Sequence, residues 1–201
     1  MTKKELHFYL MADRIMNVGE FRKTLKGVLL RLVKPNYILA YLEALRKVEY
    51  FDSKRNLIGG GYWKLQLNRL GYKTGFSIAP GVLGYGVVIP HYGTIVVGSG
   101  NKIGNYTVLH TCVCITQGKK KIGDALYCST GAKIVNDIEL KQNVSVGANA
   151  VVNKSFDDGG ILLTGIPAER KKEEKPWYVR DGETYINRIK ECERLRKDMG
   201  L

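Results

Sequence analysis

The sequence predicts a mainly β protein built on a parallel β-helix, with an N-terminal helical segment and a C-terminal helix. Three observations carry this prediction. Apolar side chains recur at steps of six: Val97, Ile103, Leu109 and Ile115, then Ile122, Cys128, Ile134, Leu140, Val146 and Val152. Only the step from Ile115 to Ile122 is seven, across Lys119-Lys120-Lys121. A glycine or small polar residue often follows the marked position, as at Gly98, Gly104, Gly123, Ser129 and Gly147. Finally, neither a helix of period 3.6 nor a strand of period two keeps such a set on one face. A coil of three short flat segments does, at about 18 residues per turn, and it stacks each marked side chain on its counterpart in the next coil.

The elements follow in order. Residues 1–73 form the N-terminal helical segment. Leu6, Tyr9, Leu10 and Asp13 open one helix, and Glu20 to Val33 repeats the spacing through Phe21, Leu25, Val28, Leu29 and Leu32. Pro35 breaks it, and Tyr37 to Tyr50 resumes through Leu39, Leu42, Leu45 and Val48. Gly59-Gly60-Gly61 reads as a turn or hinge before a short helix around Trp63 to Leu70. Residues 74–168 are the repeat domain, entered irregularly through Ile78, Val82 and Ile89. Residues 169–201 comprise a solvated linker, Lys171 to Pro176, and an amphipathic helix from Glu183 to Met199. The apolar side of that helix carries Ile186, Ile189, Leu195 and Met199, to pack on the body or on a neighbouring subunit.

Charge and cysteine usage narrow the function. A formal net charge of +13 points to an anionic partner: cofactor phosphates, an acidic glycan or a membrane surface. Nucleic acid is set aside, because no zinc-finger spacing, recognition-helix pattern or aromatic RNA-binding motif occurs. The four cysteines suit a reducing compartment, with Cys112, Cys114 and Cys128 read as buried thiols in the repeat and Cys192 in the tail. No apolar stretch reaches membrane-spanning length and no signal-peptide core follows Met1, so a cytoplasmic, soluble protein is expected.

Three segments resemble the hexapeptide-repeat acyltransferases: Gly75-Phe76-Ser77-Ile78-Ala79-Pro80, the run Ile89 to Gly98, and Thr164-Gly165-Ile166-Pro167-Ala168. They are most similar to the serine acetyltransferase branch and its relatives that acetylate sugars of surface polysaccharides. The resemblance implies a left-handed β-helix, a homotrimer with sites between subunits, and acetyl-coenzyme A as acyl donor. It puts His91 at the catalytic base, a role that suits imidazole because an alcohol is a weak nucleophile until its proton is taken. His110 lies 110 − 91 = 19 residues on, close to one coil, so the two imidazoles are expected near each other as a shared catalytic pair.

The resemblance lays the donor along Gly131, Ala132, Gly147, Ala148 and Ala150, under a loop of Thr164, Gly165, Pro167 and Ala168. Lys133, Arg170 and Lys171 would meet its phosphates. On the acceptor side stand Asp13, Arg14, Ser77 and Tyr92. Ser77 replaces the carboxylate that orients the base in serine acetyltransferases, and Pro90 replaces the Asp before it. The loop that carries an Arg-His pair in those enzymes is shortened here to Gln117 to Lys121. These changes favour a sugar or polysaccharide-precursor hydroxyl as acceptor, with O-acetylation of serine for cysteine biosynthesis as the alternative. A peripheral contact with the inner membrane face would suit a lipid-linked glycan. A non-enzymatic β-helix scaffold is the remaining class. No metal is expected, since His7, His91 and His110 are the only histidines and no Cys or carboxylate cluster stands at ligand spacing.

Overall fold

The computed structural model describes residues 1–19 and 35–201, so the helix read from Glu20 to Val33 lies outside the described residues. Among the described residues, twelve parallel strands wind into a left-handed β-helix of about five turns, and a thirteenth, antiparallel strand closes it. One face stacks β1 (Phe76–Ile78), β2 (Ile95–Val97), β5 (Val113–Ile115), β8 (Lys133–Ile134) and β11 (Val151–Val152). A second stacks β3 (Lys102–Ile103), β6 (Lys121–Ile122) and β9 (Glu139–Leu140). The third stacks β4 (Val108–Leu109), β7 (Tyr127–Cys128), β10 (Val144–Val146) and β12 (Ile161–Thr164).

The register explains the period of six. Val97 pairs with Ile115, Ile115 with Ile134 and Ile134 with Val152 on the first face. Ile103, Ile122 and Leu140 align on the second, and Leu109, Cys128 and Val146 on the third. All ten marked side chains are buried in the interior. Each buried aliphatic is worth about 1.5–3 kcal/mol relative to exposure, so these three columns supply the main driving force for coiling. Corners are turned by left-handed residues, among them Gly131, Asn136, Asn143 and Asn149.

The seven-residue step is accommodated at Lys120, which the basic run alone did not distinguish from its neighbours. Lys120 is buried at the corner, and its ammonium donates to the carbonyls of Thr116 (2.9 Å) and Gln117 (3.4 Å). Burial lowers its pKa from the usual lysine value. Cys112 also departs from expectation: its thiol lies exposed at a corner, while Cys128 and Cys192 are buried.

Among the described residues, three helices precede the coils: α1 (Lys3–Val18), α2 (Tyr37–Ser53) and α3 (Leu57–Thr74). Thr2 and Glu5 form a capping box on α1, and Asn36 and Asn56 cap α2 and α3. The expected glycine hinge is absent, because Gly59, Gly60 and Gly61 lie inside α3. Packing overrides their low helix propensity. A Cβ on Gly59 would fall 2.5 Å from the Phe51 ring, so glycine is what lets α3 fold back closely on α2. A buried ion pair then fastens the helices to the first coil. Arg46 binds Asp13 (2.8 Å) and Glu49 (3.1 Å) and donates to the carbonyl of Leu83.

The stretch expected to be a solvated linker is partly a strand. β13 (Glu169–Glu173) runs antiparallel to β12 and remains exposed. Beyond it come a short helix, α4 (Trp177–Arg180), and α5 (Glu183–Asp198). α5 packs on the body. Cys192 is buried against α1, Arg188 donates to the Met16 carbonyl (2.8 Å), and the Tyr85 hydroxyl donates to Glu193 (2.9 Å). The Trp177 indole also donates to the Tyr106 carbonyl (2.9 Å), closing the tail over the third face.

Candidate active site

His91 stands on a local outward bulge of the coil. Val88 bridges Val108 and Ile95 pairs with Val113, so the first coil spends 95 − 88 = 7 steps where the next spends 113 − 108 = 5. The two additional residues push out His91 and Tyr92, both exposed. The bulge is anchored on each side. Gly93 donates to the Thr74 carbonyl at the end of α3 (3.0 Å), Ile95 donates to Gly75 (3.1 Å), and Cys112 donates to Thr94 (2.6 Å). Gly75 has a positive φ, and a Cβ there would lie 2.9 Å from the Gly93 backbone, so glycine is required for α3 to meet the bulge.

His110 sits one coil along, half-buried, at the corner after Leu109. Its pKa is lowered, first by burial and then by the nearby His91. The two histidines are therefore within electrostatic reach, as their 19-residue spacing suggested. On its other side the His110 ring lies 5.1 Å from the Tyr127 ring, and the Arg180 guanidinium covers Tyr127 at 4.2 Å. Arg180 is held by Asp181 (2.7 Å). Tyr127, Arg180 and Asp181 escaped sequence reasoning. The coil register could have found Tyr127, which pairs with Val108, but nothing local signals that the tail returns to this corner.

A track of small residues leads away from His110. His110 N–H donates to Cys128 (3.1 Å), Ser129 N–H to Val146 (2.9 Å) and Gly147 N–H to Leu163 (2.8 Å). His110, Ser129, Gly147 and Thr164 thus occupy one position in successive coils. A Cβ on Gly147 would stand 2.9 Å from the Thr164 methyl. Gly165 and Pro167 are exposed at the far end of this track, with Ala148 beside it.

The other residues expected around a donor divide by burial. Ala132, Ala150 and Ala168 turn their methyls into the interior and are at most 1% exposed, so they offer backbone alone to any ligand. Gly131 is buried, and a Cβ there would collide with the Asn149 side chain, so corner geometry accounts for it. Lys133 donates to the Gly131 carbonyl (3.0 Å), Arg170 pairs with Asp158 (3.7 Å) and Glu173 (3.4 Å), and Lys171 is exposed on β13.

The acceptor-side expectations need correction at Asp13. Its carboxylate is buried, pairs with Arg46 and accepts the Val87 N–H (3.0 Å), which makes it a clamp between α1 and the first coil. Arg14 borders a small cavity among the helices with His7 and Leu39. Ser77 is exposed on β1 and lines a groove of about 730 Å³ between α3 and the first face, together with Asn68, Tyr72 and Thr94. Among the described residues, no group of three His, Cys, Asp or Glu could hold a metal ion.

No family model matches the chain. It is 32% identical over 123 residues to the serine acetyltransferase of Staphylococcus aureus (strain Mu50), covering 57% of this chain and 56% of that protein. The serine acetyltransferase of Staphylococcus epidermidis (strain RP62A) is 33% identical over 117 residues, 54% of each chain. The chain thus spans just over half the length of these relatives. Among solved structures, Neisseria gonorrhoeae serine acetyltransferase superposes with a TM-score of 0.66 at 23% identity, over 87% of this chain and 69% of that one. Soybean serine acetyltransferase complexed with serine gives 0.65 at 21%, over 83% and 69%. These structural likenesses speak for the fold, and the staphylococcal matches for descent. In sequence, then, just over half of this chain is similar to serine acetyltransferases, and in fold its left-handed β-helix superposes on theirs.

Proposed function

We propose that the protein is an O-acetyltransferase that moves an acetyl group from acetyl-coenzyme A to the hydroxyl of a small acceptor, with His91 as general base. The observation that carries this reading is the bulge that exposes His91 within electrostatic reach of His110, at the head of the track from His110 through Gly147 to Thr164. In this reading the His91 imidazole takes the acceptor proton as the oxygen attacks the thioester carbonyl. A backbone N–H steadies the oxyanion, and the imidazolium returns its proton to the departing thiolate. His110, whose pKa burial lowers, hydrogen-bonds the reacting groups.

The donor arm lies along Gly147, Ala148 and Thr164, under Gly165 and Pro167. Gly131, Ala132, Ala150 and Ala168 contribute backbone, and Lys133, Arg170 and Lys171 receive the phosphates. Ser77 and Tyr92 border the acceptor. The protein acts in the cytoplasm as a homotrimer, with sites between neighbouring subunits.

L-Serine is the acceptor that the relatives favour, since the staphylococcal proteins are named for it. A sugar hydroxyl is the second reading, and Ser77 is the specific observation in its favour. That side chain stands where the resemblance places the carboxylate that orients the base in serine acetyltransferases, and it lines the groove between α3 and the first face. The test is thiol release from acetyl-coenzyme A with L-serine and with a panel of nucleotide sugars and oligosaccharides. His91→Ala is expected to slow turnover by about 10²- to 10⁴-fold. Turnover that survives this change would overturn the assignment of the base.

A further inference from the structure

We infer that the outer face of α3 is a docking surface for an anionic phospholipid bilayer. α3 carries two apolar faces. The inner one, through Gly60, Leu67 and Thr74, is buried against the body. The outer one carries Ile58 (89% exposed), Tyr62, Leu65 (66%) and Tyr72 (92%), at i, i+4, i+7 and i+14, with Leu57 (88%) at its start. Those spacings line up along one side of a helix. A helix that is apolar on opposite sides has a partner on each, and scattered exposed residues do not form such a ridge.

Charge identifies the partner. α3 contains no carboxylate, and no Asp or Glu occurs anywhere between Asp52 and Asp124. Arg69 lies on the ridge itself, between Leu65 and Tyr72, and Lys73 stands at its edge. Lys64, further round, is bound to Asp52 (2.8 Å). A second copy docked about a twofold axis would set this basic ridge against itself, with no acidic residue on α3 to compensate. An anionic headgroup layer complements it: the aliphatic and tyrosine side chains enter the interface while Arg69 and Lys73 reach phosphates. The surface is also coupled to the candidate site. Tyr72 lines the groove shared with Ser77, and α3 ends in the Thr74 carbonyl that anchors the His91 bulge. The docking surface does not depend on the acyl-transfer reading; where both hold, the bilayer would present a lipid-linked acceptor to that groove.

The experiment is co-sedimentation of the full chain with vesicles of phosphatidylcholine alone or with about one third phosphatidylglycerol. The pair Ile58→Asp/Leu65→Asp and the pair Arg69→Gln/Lys73→Gln are compared with the parent. All four positions are at the surface, and melting temperature and light-scattering mass verify that fold and assembly are kept. The expected result is binding to the anionic vesicles only, weakened at least about tenfold in each double variant and by raising salt from about 0.1 to 0.5 M. Absence of binding to anionic vesicles, or binding unchanged in both variants, overturns the inference. So does a fall in assembly mass in the Asp variant, which would make the ridge a contact between copies of the chain.

Discussion

Replacing Asp13 by Ala removes one partner of a buried charge, and its consequences follow from the atoms that remain. Arg46 is fully buried, and Asp13 takes its Nε at 2.8 Å and the Val87 N–H at 3.0 Å. Without the carboxylate, the guanidinium keeps Glu49 and the Leu83 carbonyl but loses its nearest anion, and the Val87 N–H loses its acceptor. An unsatisfied buried donor costs about 1–3 kcal/mol. Breaking a buried ion pair by removing one member costs about 3–5 kcal/mol in total, and the second figure already contains the first. For a chain of this size, each kcal/mol moves Tm by about 2–4 °C, so a drop of roughly 6–20 °C is expected.

The assay is a thermal melt at one fixed protein concentration, since assembly contributes to apparent stability. A double substitution, Asp13→Leu with Arg46→Met, is expected to recover part of the loss, because the orphaned guanidinium goes with its partner, while Glu49 loses its own ion pair. Turnover per folded molecule is expected to persist in Asp13→Ala below its transition. A melt within about 1 °C of the parent, together with lost turnover, would refute the structural role and return Asp13 to the acceptor site.

Three further outcomes are expected. Gly59→Ala is expected to destabilise by about 1–3 kcal/mol through collision with Phe51, whereas Gly61→Ala, with open space around it, should stabilise by up to about 1 kcal/mol; paired denaturation curves check the opposite signs. His110 has a folded pKa below its unfolded value near 6.5, so the unfolded chain binds more protons as pH falls, and this contribution to stability is full above about pH 6.5 and declines below it. His110→Asn is expected to flatten the fall in stability between about pH 6.5 and pH 5; an unchanged profile would show that another group carries it. With a thiol reagent, Cys112 is expected to react first, while Cys128 and Cys192, whose thiols burial pushes up to about 12, react only on unfolding; mass mapping of the labelled sites tests the order.

The β-helix was legible because its interior demands the same thing at every coil. Each corner-to-corner segment buries an apolar side chain at the same position, so ten buried residues announce themselves at steps of six without reference to anything distant. The electrostatic influence of His91 on His110 follows the same logic, since positions about one coil apart come near each other in space. The glycines of α3 were misread because propensity is local, whereas the Phe51 ring that requires them comes from the helix before. Asp13 was misassigned because its partner, Arg46, is 33 residues away and the pairing exists only once α1 and α2 meet. For the same reason Tyr127 could have been placed by register, whereas Arg180 could not: it reaches His110's neighbour only after the tail crosses the coils.

By itself, then, the sequence determined the repeat, its interior columns and the proximity of the two histidines, all of which follow from periodic burial along the chain. Tertiary structure alone decided which charged groups are clamps and which face solvent, where the tail lies, and that α3 keeps an apolar face outward. Those outcomes depend on contacts between segments whose separation follows no period, and a linear pattern carries no record of them.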